Sequence, residues 1–150
     1  MVPGLLDRMN IARHLALIDE LCFRPFPAEH GPSDLGDGGP GHLVVVLESS
    51  RADCGTRAVR VEQYEKYRDA LHELLVSRWG EAHWLNLQTV LLRTEEEAIP
   101  EPWASLSARA RVADLWEAEG TGRWVVTAVA DRDPADDVQL LAVVTDVAPP

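Results

Sequence analysis

Apolar residues recur at three- and four-residue steps from Leu5 through Met9, Ala12, Leu15 and Ile18 to Cys22. Asp7, Arg8, Asn10, Arg13, His14 and Glu20 fill the intervening positions, so residues 5–22 are expected to form an amphipathic helix. Pro25 and Pro27 stop it, because proline lacks the amide proton and its ring clashes with a preceding turn. Residues 24–41 alternate prolines with Gly31, Gly36, Gly38, Gly39 and Gly41 and predict a flexible surface segment. The aliphatic run Leu43–Leu47 is short and rich in valine, which predicts a strand buried on both faces.

The helical period returns at Val61, Tyr64, Tyr67, Leu71, Leu74, Leu75 and Trp79, opposite Glu62, Glu65, Lys66, Asp69 and Glu73. Gly80 is the natural residue just past the end of that helix. Residues 83–93 alternate and predict a half-buried strand; Thr94–Pro102 reads as an acidic loop, and Trp103–Ala110 as a short helix with Pro102 at its start. Val112–Ala118, Arg123–Ala130 and Val138–Val144, separated by Gly120-Thr121-Gly122 and by Asp131–Asp137, predict a C-terminal three-stranded antiparallel meander. The expected fold is one α+β domain over residues 1–150, with two main helices on one face of a mostly antiparallel sheet of about five strands. The first helix is joined by residues 24–41 to a main body at 42–147.

Charge narrows the possible partners. The net charge is −11, from 25 acidic and 14 basic residues. Phosphate backbones and anionic lipid both need a positive surface, so nucleic acid and membrane surfaces are excluded as partners, and a basic protein is favoured. Every basic residue except Lys66 is arginine, the coding habit of a GC-rich, bacterial genome. Cys22 and Cys54 are far apart, as for free thiols in a reducing compartment. No run has the length of a membrane span, and charges interrupt the first segment where a leader would be apolar, so a cytoplasmic location is expected.

Candidate chemistry is sparse. Cys54-Gly-Thr-Arg-Ala-Val-Arg60 places a cysteine and an arginine six apart, between a strand and a helix. That spacing resembles the phosphate loop of cysteine-dependent phosphatases, where the resemblance implies Cys54 as nucleophile and Arg60 as phosphate ligand. Asp53 and Val61 depart from that pattern, as does the position of Gly55. His72-Glu73 begins a zinc-protease motif, but Val76 stands where the second histidine belongs. Asp131, Asp133, Asp136 and Asp137 lack the glycine and glutamate of a calcium loop. No metal or cofactor is therefore expected. Glu95–Glu97, Glu117 and Glu119 are expected to be solvated. Trp116 and Trp124 flank the glycine turn as neighbours and, with Glu117 and Glu119, are the candidate binding residues for a protein or cationic ligand.

In size, charge and architecture the chain resembles immunity proteins, which implies a non-catalytic module that neutralises a basic partner. Two alternatives stand beside it: a phosphatase-like enzyme using Cys54 and Arg60, and a ligand-binding homodimer joined through an exposed strand edge.

Overall fold

The computed structural model describes residues 5–32, 36–49 and 57–150, with side chains from Met9 onward. The first helix, α1 (Leu5–Phe23), buries Ile11, His14, Ile18, Leu21 and Cys22 along one stripe. It has no basic residue in its last turn to meet the carbonyls exposed there. Arg123 supplies that cation from the sheet, donating to the Leu21 carbonyl at 2.8 Å and the Arg24 carbonyl at 2.6 Å. Its guanidinium also lies 3.9 Å from the Phe26 ring centroid. This helix therefore packs on its own domain. The segment after it contains two short strands, β1 (Gly31–Pro32) and β2 (Asp37–Gly39), which lead into β3 (His42–Ser49).

Helix α2 (Arg57–Trp79) buries Tyr64, Tyr67, Leu71 and Leu75, the face expected from its period. Gly80 ends it with φ +88°, donating its amide to the Val76 carbonyl at 2.8 Å. The single strand expected at 83–93 is instead a strand followed by a helix: β4 (His83–Asn86) and α3 (Leu87–Arg93). Asn86 decides the boundary, because its side-chain oxygen accepts from the amides of Gln88 at 3.0 Å and Thr89 at 3.4 Å. Leu87 and Val90, three residues apart, then face inward together. A further short helix, α4 (Trp103–Arg109), precedes the meander of β5 (Val112–Ala118), β6 (Arg123–Ala130) and β7 (Gln139–Thr145).

The fold is α+β, with an antiparallel sheet of seven strands, two more than the expected number, in the order β1-β2-β3-β7-β6-β5-β4. The added strands are β1 and β2, whose Gly, Pro and Asp residues carry no strand signal in the sequence. Two apolar cores sandwich the sheet. Helices α1 and α2 cover Val45, Trp116, Val125, Leu140 and Val144 on one side. On the other side, α3 and α4 cover Leu115, Val126, Leu141 and Val143, so helices lie on both faces and not on one. This explains why β6 and β7 are apolar at successive positions instead of alternating. β3 is less enclosed than its composition suggests: Val46 is 42% exposed. A register shift between Val46 and Glu48 places Glu48 opposite Leu140, a residue of the α1–α2 core. Glu48 can thus meet His14 of α1, Oε2 to Nε2 at 2.7 Å.

Candidate functional site

The arginines are largely committed to holding the fold. Arg57 donates to three carbonyls of the β6–β7 connection, those of Asp136 (2.6 Å), Asp133 (2.9 Å) and Asp131 (3.1 Å). Arg132 donates to the Ala110 carbonyl at 2.9 Å, Arg109 to Gln139, and Arg78 pairs with Asp19. Many carboxylates stay outside. Along α2, Glu62, Glu65, Asp69 and Glu73 follow one another at helical spacing on the face opposite the buried tyrosines and leucines, and all are exposed. Lys66 pairs with Glu62 at 3.5 Å, an exposed contact worth little.

A separate feature is an aromatic side chain exposed at the sheet edge. Trp84, on the edge strand β4, is 65% exposed. Its register partner is Asp114 of β5, so both side chains leave the sheet on the α2 side. Asp114 is buried and meets His72 of α2, Oδ2 to Nδ1 at 3.2 Å. The His72 ring in turn packs 5.5 Å from the Trp116 ring, at 59°. The Trp116 indole is fully enclosed and donates to the Gly80 carbonyl at 3.2 Å. Trp84 and the half-exposed His72 thus both adjoin Asp114, with Trp116 beneath the His72 ring, while the acidic residues of α2 lie farther round the helix, Asp69 one turn from His72. Among the described residues, β4 is the last strand on its side of the sheet.

The sequence-derived candidates fall into separate places. Trp116 is a buried support beneath this patch and presents no surface itself. Trp124 pairs in register with Glu117, not with Trp116, and packs against the α3–α4 core, so the two tryptophans lie on opposite faces of the sheet. Glu117 and Glu119 are exposed. Arg60 donates to Gln63 Oε1 at 3.1 Å on the first turns of α2, and Cys54 lies outside the described residues. Sequence reasoning passed over Trp84 because its exposure follows from β4 being an edge, which depends on strand order.

A concave region lies on the other side of the sheet. A cleft of about 460 Å³ opens between the β1–β2 strands and α4, with His42 in its wall and Arg109 at its border with a smaller acidic hollow. Among the described residues, no group of three or more His, Cys, Asp or Glu side chains is placed to hold a metal ion. No helix among them is long and apolar enough to cross a membrane. Comparison with protein-family models, with curated proteins and with solved structures finds no match for this chain.

Proposed function

We propose that this protein is a non-catalytic acidic binding module, of the immunity-protein kind, that docks a basic protein partner on the patch around Trp84. The observation that carries this proposal is an exposed indole at a sheet edge, held beside Asp114 and His72, in a molecule whose helix α2 presents an exposed acidic stripe. Aromatic side chains backed by a rigid floor are the usual anchors of protein interfaces. Carboxylates around such an anchor steer a cationic partner and reject anionic ones. The internal use of arginine strengthens the negative field, since cations tied to backbone carbonyls inside the fold leave the outer carboxylates less neutralised.

The test begins with capture on the immobilised protein from cells that produce it, followed by mass-spectrometric identification. Affinity for the purified captured protein is then measured at about 50 and about 500 mM salt. The expected partner is basic, its affinity falls at the higher salt, and Trp84→Ala weakens it by roughly 30-fold or more. The charge reversals Asp69→Lys and Glu73→Lys should slow association more than they speed dissociation. Capture of nothing specific, or a partner bound equally well by Trp84→Ala and by the reversed variants, would overturn the proposal.

A further inference from the structure

The cleft between the β1–β2 strands and α4 is separate from the patch at Trp84, and its chemistry differs. Its floor is apolar: Val44 and Val143 from the sheet, and Leu106 from α4. One wall carries His42, which is 7% exposed and whose Nδ1 is buried without a hydrogen bond. That nitrogen is enclosed from solvent, so a hydrogen bond from this ring to a molecule in the cleft is made through the other nitrogen. Burial, followed by the neighbouring His30, lowers the His42 pKa, while Glu101 and the Pro40 carbonyl act in the opposite direction. The imidazole is therefore neutral at physiological pH, with one nitrogen able to accept.

His42 is also held in place. The His30 ring centroid is 5.5 Å from that of His42, and both rings press on Gly39, where an added Cβ would lie 2.5 Å from His30 Nδ1 and 2.8 Å from His42 Cε1. The α4 side of the cleft carries Glu101, a half-buried carboxylate that accepts the Ser105 amide at 3.1 Å through Oε2. One carboxylate oxygen thus retains its acceptor capacity. Asp37 adds a second negative charge at the mouth. The opposing cation, Arg109, is turned onto Gln139. The cleft therefore combines an apolar floor, a neutral acceptor and a net negative rim, in a volume suited to a small molecule.

We propose that this cleft is a binding site for a small monocationic amine with an apolar body, whose N–H groups are donated to His42 and to Glu101. The apolar body lies over Val44, Leu106 and Val143, and the charged end replaces part of its water with the Glu101 carboxylate and the cleft-side nitrogen of the His42 ring.

The test is an NMR titration with 2-phenylethylamine as probe, beside 2-phenylethanol and 3-phenylpropionate, which keep the aryl body but remove or reverse the charge. The amine should give saturable shifts of the His42 ring protons and of the Val44 and Val143 methyl groups. Glu101→Gln should weaken that binding by about tenfold or more. Ser105→Trp, at an exposed position lining the cleft, should abolish it while leaving the rest of the amide spectrum in place. The proposal fails if the carboxylate or the alcohol shifts the same signals as strongly at equal concentration. It also fails if the amine shifts do not saturate, or if Glu101→Gln binds as the wild type does.

Discussion

Replacing Arg123 with methionine tests whether the first helix is held to the sheet by one side chain. The substitution keeps an unbranched apolar stem and removes the guanidinium. Lost with it are two charge-assisted hydrogen bonds, to the Leu21 carbonyl at 2.8 Å and the Arg24 carbonyl at 2.6 Å. Hydrogen bonds of that kind contribute about 1.5–3 kcal/mol each, and the lower end applies because the side chain is only half-buried. The contact with Phe26, 3.9 Å from the guanidinium carbon, adds about 0.5–1 kcal/mol. Favourable interaction with the negative end of α1 is part of the same contacts and is not counted again. The expected loss is about 3.5 kcal/mol, a large part of the roughly 5–15 kcal/mol that holds a domain of this size. In urea, with a slope of about 2 kcal/mol per molar, the unfolding midpoint should fall by ~2 M. Arg123→Lys keeps the charge but reaches one carbonyl at a time, so it should recover about half of the loss. The loss should also be local. Hydrogen exchange should quicken at Leu21 and Cys22 well before it does at Val126 or Leu141, which lie in the middle of the sheet. A methionine variant within about 0.5 kcal/mol of wild type, or equal exchange changes in α1 and β7, would refute this account.

Four further outcomes are expected. His14 and His42 are both held below the usual histidine pKa, chiefly by burial, so the unfolded chain takes up protons at a higher pH than the folded one. Stability should therefore be complete above the ordinary histidine pKa of about 6.5 and decline as pH falls below it; His42→Gln should flatten part of that slope in urea melts, and a flat profile would remove the assignment. Gly39→Ala should destabilise by about 1–3 kcal/mol, because its methyl group meets the buried His42 ring as well as the movable His30, with a displaced His42 signal by NMR. Gly120→Ala, with open space around it but φ +81°, should cost only about 1 kcal/mol. Burial, reinforced by Asp19, pushes the Cys22 thiol up to about 11, against the pull of Arg123 and Arg78. In a Cys54→Ser background, Cys22 should therefore resist a disulfide reagent at about pH 8 until the protein unfolds; rapid labelling of the folded protein would contradict this.

Helix α2 was legible in its buried face apart from Leu74, which is exposed, whereas α1 was legible only as a helix: Met9 and Ala12 of its expected apolar stripe are exposed, and His14, expected on the polar side, is buried. The meander was legible because glycine and aspartate turns separate three runs of strand formers. The end of β4 was not, since Leu85, Leu87, Thr89 and Leu91 fit alternation while Leu87 and Val90 fit a helix, and one side-chain cap at Asn86 decides between them. The second helical layer was hidden for a related reason: α3 and α4 are seven residues each, too short for a period to stand out. The candidate sites were least legible. Trp84 differs from Trp116 only through the position of its strand in the sheet, and His42 meets Glu101 only because α4 folds back over β3.

The strand order has a consequence for how this chain comes to be made. β7 lies between β3 and β6, and both take their central hydrogen bonds from it. During synthesis β3 emerges long before residues 139–145, and until they arrive its inner edge has no strand to join. The first half of the molecule therefore waits for the last strand. A nascent chain that has released β3 but not yet residues 139–145 holds out an unsatisfied strand edge and an uncovered apolar face, the state in which this protein is most exposed to aggregation and to chaperones.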